Sequence, residues 1–329
     1  TNLKRLLRLQ NLQKTMKMKS KGVKCSGCLE GLIVKGIAGF YYVKSGDTVY
    51  RCKARGIFKQ RDIKPAVGDK VVIEVIPDND DSLIVDMLPR KNSFIRPFVA
   101  NVDCFIIVAA AARPSPAPIV IDKFLVMAEK SGTDIVICIN KCDMADSLQS
   151  KKAEKAEEKI ELLKNIYSSL YPVVCLDSKN GIGFDELKKL IKGKASALAG
   201  PSGVGKSTIL NRLIPEAGAE TGKVSEKSQR GRHTTRHSEL FTIDVKTGTM
   251  IFDTPGFTSF DVLEAGEEEL QHFFPEIMHS AAACRYSNCR HVAEPGCGVA
   301  KALSENKISE SRYESYVSML DEIKKSKQY

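Results

Sequence analysis

The sequence predicts an α/β protein in three parts: an N-terminal five-stranded β-barrel, a mostly parallel sheet with helices on both faces, and a helical C-terminal segment. Three observations carry that prediction. Between Leu32 and Leu88, short β-rich runs alternate with turn signals; from Val102 onward, apolar runs alternate with helical stretches; after about Asp261 the chain turns helical around a cluster of Cys and His. At 329 residues it exceeds a comfortable single core, so several domains are expected. A content of 43% hydrophobic and 27% charged residues is that of a globular protein rather than a disordered one. No uninterrupted apolar run approaches the ~20 residues that span a bilayer, and no membrane partner is expected.

The formal net charge is +10, but its location matters more than its size. Residues 1–29 carry eight Lys and Arg and no acid, and ten positive charges less those eight leave +2 for everything else. This tail lacks the apolar centre of a secretory signal and reads as a disordered or non-native basic extension; the Leu spacing of "LKRLLRLQNL" leaves an amphipathic targeting arm as the alternative. Ten cysteines, several inside apolar runs such as Cys104 and Cys138, fit a reducing cytoplasm better than a disulfide framework. The Cys25 and Cys28 pair reads as incidental.

The barrel comes first. "GLIVKGI", "FYYV", "TVYRCKA", "DKVVIEVI" and "DSLIVDML" are five strands with turn residues between them, enough to close a small barrel of the oligonucleotide-binding (OB) type. Residues 44–70 hold eight Lys and Arg against three Asp, and such a basic face suits nucleic acid. A merely solvated surface is the plainer alternative. "PRKNSFIRP" at 89–97 reads as a linker.

Next come "VDCFIIVAA", "DIVICIN", "YPVVCLD" and "SALAG" as buried strands, with helices between them over "PIVIDKFLVMAEKSG", 151–170 and "GFDELKKLIKG". Alternation of this kind means parallel strands covered by helices on both faces. The last strand runs into Gly200-Pro201-Ser202-Gly203-Val204-Gly205-Lys206-Ser207, the full phosphate-loop (P-loop) pattern between a strand and a helix, with Thr208 next in line. Backbone N–H groups and the helix N-terminus would hold phosphates, Lys206 would neutralise them, and the Ser207 hydroxyl would ligate Mg²⁺. "IFDTPG" adds Asp253 for Mg²⁺ and the Gly256 N–H for a γ-phosphate. In "GRHTTR", Thr235 is the expected Mg²⁺-sensing switch residue, with Thr234 the fallback.

Asn140-Lys141-Cys142-Asp143 ends the second strand of this region. The Asp143 carboxylate can accept from guanine N1–H and N2–H₂ together, a pair that adenine does not offer. Asn140 would contact the base edge or brace the loop, and Lys141 would lie along sugar and base. Asp177, Ser178 and Lys179 stand where GTPases carry a Ser-Ala-Lys element; the donor needed there is a backbone N–H, so the departure is tolerable. Base readers therefore precede the phosphate loop, and the switches come last. Strand-end sites survive such reordering, because their geometry does not depend on the order of connections. The domain reads as a circularly permuted P-loop GTPase.

Near the C-terminus, Cys284, Cys289, His291 and Cys297 gather three thiols and an imidazole, the ligand set of one closed, structural Zn²⁺ site. Where many GTPases place a water-orienting Gln, this chain has Phe257, so His233 beside the switch threonines becomes the candidate for that role. The remaining histidines, His237, His272 and His279, read as surface residues.

Together these motifs resemble the RsgA family of bacterial GTPases, from Leu32 to the C-terminus. The resemblance implies GTP hydrolysis to GDP late in maturation of the small ribosomal subunit (30S), stimulation by that particle, and rRNA contacts through the barrel and zinc segments. It also implies the zinc ligands named above and a part in hydrolysis for His233, alongside Lys206 and Thr235. The expected chain is a cytoplasmic monomer divided into 1–29 (tail), 30–90 (barrel), 91–262 (GTPase) and 263–329 (helical zinc-binding domain). A competing reading is an RNA-binding adaptor gated by nucleotide with negligible turnover, favoured by Phe257. An ATP-using kinase is disfavoured by Asn140 and Asp143.

Overall fold

The computed structural model describes residues 27–77, 79–111, 114, 117–144, 151–214, 238–257 and 265–326. The basic tail up to residue 26 and the segment 215–237, with His233, Thr234, Thr235 and His237, lie outside them. The chain divides into two compact units, Thr1–Asn101 and Val102–Tyr329.

In the first unit, β1 (Cys28–Ile37), β2 (Phe40–Ser45), β3 (Thr48–Ala54), α1 (Gly56–Gln60), β4 (Lys70–Glu74) and β5 (Ser82–Met87) follow in order. The strands pair as β1-β2-β3-β5-β4, and a β1–β4 ladder closes the barrel. Period-two alternation fills the interior: Ile33, Val43, Cys52, Val71, Ile73 and Ile84 are fully buried. β1 pairs on both sides, and at Gly31 an added Cβ would lie 2.5 Å from Val43 Cγ1 and 2.9 Å from the Lys44 carbonyl oxygen, so no side chain fits.

The expected linker is more ordered than its sequence suggests. β6 (Ser93–Ile95), inside it, and β7 (Phe98–Ala100), just after it, form a hairpin with Arg96 and Pro97 at the tip. Arg90 docks bidentately on the buried Asp69 at 2.7 and 2.8 Å, and Asn101 Nδ2 donates to the Gly68 carbonyl at 2.9 Å. Two three-residue strands are too short for a periodic signal, and their anchors are long-range polar contacts.

In the second unit the strands are β8 (Cys104–Ala110), β9 (Asp134–Asn140), β10 (Val173–Leu176), β11 (Ala195–Ala199), β12 (Glu239–Asp244) and β13 (Thr249–Phe257), in the order β10-β9-β8-β11-β13-β12. All pairs are parallel except β12–β13. The helices α2 (Pro118–Ser131), α3 (Lys151–Tyr167), α4 (Phe184–Leu190) and α5 (Lys206–Leu213) alternate with them. β8 buries every residue. Cys104, Ile106, Val108 and Ala110 pack with Phe184 and Leu187 of α4 and Ile209 and Leu213 of α5, while the intervening Phe105, Ile107 and Ala109 are equally buried on the face where α2 packs. Helices therefore cover both faces.

Beyond the sheet, α6 (Pro275–Ala281), α7 (Gly298–Ser304) and α8 (Glu310–Ser326) build a second core from Phe274, Ile277, Val299, Tyr316, Met319 and Leu320, joined by Val126 of α2. A buried charge cluster crosses that junction. Arg312 of α8 donates to Asp122 of α2 at 2.7 Å and to both carboxylate oxygens of Glu276 in α6 at 2.7 and 3.2 Å, with Phe274 stacked 4.5 Å from the guanidinium.

Candidate nucleotide site and metal centre

Parallel strands deliver their ends to one edge, where the loops after β9, β10 and β11 meet. The β11 loop opens at Gly200, whose N–H donates to the Phe257 carbonyl at 3.0 Å. A Cβ there would sit 2.4 Å from the Val108 carbonyl, and φ is +140°, so only glycine fits. Lys206 Nζ donates to the carbonyls of Gly200 and Pro201 at 2.6 and 2.8 Å, which curls the loop around it, and burial lowers its pKa. Ser207 and Thr208 lie exposed in the first turn of α5. Backbone N–H groups around a helix N-terminus make a fitting anion cradle.

The β9 loop meets this cradle directly. Asn140 is fully buried, and its Nδ2 donates to the Val204 carbonyl at 2.9 Å across 64 positions of sequence. Lys141, at φ +64°, donates to the Gly203 carbonyl at 2.9 Å. A half-exposed Asp143 follows in a 3-10 turn, Cys142–Met144. In the β10 loop the Asp177 carboxylate serves its own turn, accepting from the Lys179 and Asn180 N–H groups at 2.9 Å and from Asn180 Nδ2 at 2.5 Å. Burial opposes its charge, yet these donors hold its pKa below the usual range. Ser178 is buried beside it and Lys179 exposed. Arg212 of α5 reaches the Lys179 carbonyl at 3.3 Å, so the phosphate and base loops are tied here as well.

Asp253 and Gly256 lie on β13, with Asp253 opposite Glu239. Phe257 is buried edge-on against Phe105, ring centroids 4.9 Å apart, and has no face toward water. The three parts that the structure describes (phosphate loop, base loop, β13 end) thus converge; the switch residues His233 and Thr235 lie outside the described residues.

The metal ligands also converge. One ligand atom from each of Cys284, Cys289, His291 and Cys297 lies within 4.8 Å of all the others. His291 Nδ1 is 3.5 and 3.6 Å from the Cys284 and Cys297 sulfurs, which are 3.9 Å apart. Tetrahedral Zn²⁺ at ordinary bond lengths requires about 3.6 Å for S···N and about 3.8 Å for S···S, so the set fits zinc. Two partners went unread in the sequence. Gln271 Oε1 lies 2.9 Å from His291 Nε2; accepting that N–H leaves Nδ1 for the metal. Glu294 accepts from the N–H groups of Arg290, Val292 and Ala293 at 2.8, 3.0 and 3.1 Å, shaping the knuckle; burial disfavours its charge, but these donors prevail and hold its pKa at about 2. The Gly298 and Ala300 N–H groups point at the sulfurs of Cys284 and Cys297, as thiolates require. A Cys-His pattern signals ligands, whereas Gln271 precedes the cluster with no motif to mark it.

The profile of the RsgA GTPase family matches residues 87–263, and that of the RsgA N-terminal domain matches 30–84. A small ribosomal subunit biogenesis GTPase RsgA from Alkaliphilus metalliredigens is 43% identical over 302 residues, covering 91% of this chain and 99% of its own. Another of that name, from Carboxydothermus hydrogenoformans, is 44% identical and covers 90% and 98%. Among solved structures, YjeQ from Thermotoga maritima superposes with a TM-score of 0.76 at 37% identity, covering 90% of this chain and 98% of that one. YloQ, described as a circularly permuted GTPase, gives 0.74 at 32%, with 93% and 99% covered. A permuted motif order, loops that nevertheless meet, and likeness along nine-tenths of the sequence lead to one conclusion: the chain belongs to the RsgA family of circularly permuted GTPases.

Proposed function

We propose that this GTPase acts on the small ribosomal subunit late in its maturation, binding rRNA through the barrel and the zinc-bearing segment and being stimulated by the particle. The support is the name borne by its relatives, together with the basic stretch 44–70. The working modules are 30–90, 91–262 and 263–329, acting as a cytoplasmic monomer; no helix among the described residues is long and apolar enough to cross a membrane.

One observation carries the nucleotide reading: the Asn140–Val204 hydrogen bond, which joins base loop to phosphate loop. In this reading Asp143 accepts from guanine N1 and N2, Lys141 lies along the sugar, and the β10 loop of Asp177, Ser178 and Lys179 offers backbone to the base. Residues 200–208 wrap the phosphates, with Lys206 leaving its two loop carbonyls for phosphate oxygens. Ser207, Thr235 and Asp253 are hard oxygen donors of the kind Mg²⁺ takes, and the bound ion supplies charge neutralisation at the phosphates. His233 orients water where Phe257 cannot. One structural Zn²⁺ held by the Cys₃His set contributes folding energy.

GTP turnover with and without purified small subunits tests this. Stimulation of at least ~10-fold, about 1.4 kcal/mol off the barrier, is expected. Tight GTP binding with no turnover in either case would instead support the adaptor reading, which the burial of Phe257 favours.

A further inference from the structure

Two cysteines that the proposed mechanism does not use meet beneath the base loop. Ile139 of β9 pairs with Cys175 of β10. After Asn140 the left-handed turn at Lys141 folds the chain back, and Cys142 Sγ donates to the Ile139 carbonyl at 3.1 Å. Val174 and Leu176 point into the core, so strand alternation puts Cys175 on the opposite face. There its thiol faces the Cys142 thiol and lies beside the Lys164 ammonium of α3. Both thiols are half-buried, whereas Cys52, Cys104 and Cys138 are buried. Burial pushes those three up, while the adjoining Cys142 thiol and then Lys164 outweigh desolvation and pull Cys175 down. A thiolate beside a cation, with a second thiol in contact, is the arrangement of a redox-sensitive pair.

We propose that Cys142 and Cys175 form a reversible disulfide that shifts the base-reading loop and weakens guanine nucleotide binding. The gating half rests on the reading of Asp143 given above, since Cys142 stands between Lys141 and Asp143. The oxidant is a hydroperoxide. The Cys175 thiolate attacks one peroxide oxygen; an S–O bond forms, the O–O bond breaks, and the departing oxygen takes a proton. Cys142 then attacks the sulfenic sulfur; the S–S bond forms, the S–O bond breaks, and hydroxide leaves with the Cys142 proton as water. Two thiols and one hydroperoxide become one disulfide, one water and one alcohol (a second water from hydrogen peroxide). A thiol reductant reverses the outcome.

The test uses the full-length, zinc-loaded protein with stoichiometric hydrogen peroxide, zinc release being followed by a chelating dye. After alkylation and digestion, a Cys142–Cys175 cross-linked peptide is expected, and dithiothreitol should abolish it. Affinity for a fluorescent GDP should fall about tenfold or more, as when a charge-assisted hydrogen bond is lost, and recover on reduction. Cys175→Ser should bind GDP normally and not respond to peroxide while retaining zinc. Free Cys142 and Cys175 after oxidation of the protein, or their pairing with other cysteines, would overturn the proposal; so would a disulfide that leaves GDP affinity unchanged. Reduced protein that binds no GDP would count against the nucleotide reading instead, and the peptide map would still decide the disulfide.

Discussion

At Gly205 the backbone holds φ at +102°, and an added Cβ would meet Asn140 Nδ2 at 2.2 Å. Gly205→Ala therefore strikes the buried side chain that, with Lys141, ties the base loop to the phosphate loop. Strain of ~1–3 kcal/mol, or about 5- to 150-fold in GDP affinity, is the expected loss, with the thermal melt little changed. Full affinity in a direct titration would detach Asn140 from the site. His233→Ala belongs to the same scale: turnover should drop while GTP affinity holds, as for a group used only in the transition state, and single-turnover kinetics beside equilibrium binding would reveal equal losses if His233 merely supports its loop. The phosphate-loop glycines were legible because fixed spacing encodes their role. The inward-facing Asp177 carboxylate was not, since a carboxylate that caps its own turn and one that faces a ligand share the same letters.

Among elements, the zinc knuckle and α8 hold the C-terminal helices in place. Tyr313 and Tyr316 of α8 donate to the carbonyls of His291 and Arg290 at 2.8 and 3.0 Å, so knuckle and helix share one frame. Chelation, or Cys289→Ala, should release about one Zn²⁺ per chain and unfold this region, because metal binding there is folding energy. Elemental analysis with hydrogen exchange over α6–α8 checks both parts, and metal-free protein with full protection would refute the role. Arg312→Ala should cost ~3–5 kcal/mol in urea denaturation, since Asp122 and Glu276 would stay buried without their partner. A loss under ~1 kcal/mol would mean that water replaces the guanidinium. Long periodic elements were legible in sequence: α2 carries Pro at its first turn and ends at a left-handed Gly132. The β6–β7 hairpin and the Arg312 cluster were not, because their stabilising partners lie far away along the chain.

For the whole molecule, permutation places the end of β13 directly before the zinc-bearing helices. If GTP orders the switches, the C-terminal region should respond to nucleotide state. Small subunits should then bind the protein tighter with a non-hydrolysable GTP analogue than with GDP by ~1–3 kcal/mol. Affinity should also fall steeply with salt if the 44–70 stretch meets phosphates. Equal affinities at matched salt would show that nucleotide does not gate binding. The permuted order itself was legible, since each motif kept its place at a strand end. The meeting of its loops was not, because it depends on the register of β8, β9 and β11.

The central claim, that loops in permuted order compose one guanine-specific hydrolytic site, is tested most directly by exchanging the base. Subunit-stimulated hydrolysis of GTP and of xanthosine triphosphate should be compared for the wild type and Asp143→Asn. The wild type should hydrolyse GTP and neglect xanthosine triphosphate. The variant should lose GTP activity by about 10- to 100-fold at limiting substrate, the worth of a charge-assisted hydrogen bond, and gain the xanthine nucleotide, whose C2 oxygen accepts from an amide. A variant that keeps wild-type GTP hydrolysis and gains nothing would contradict the account.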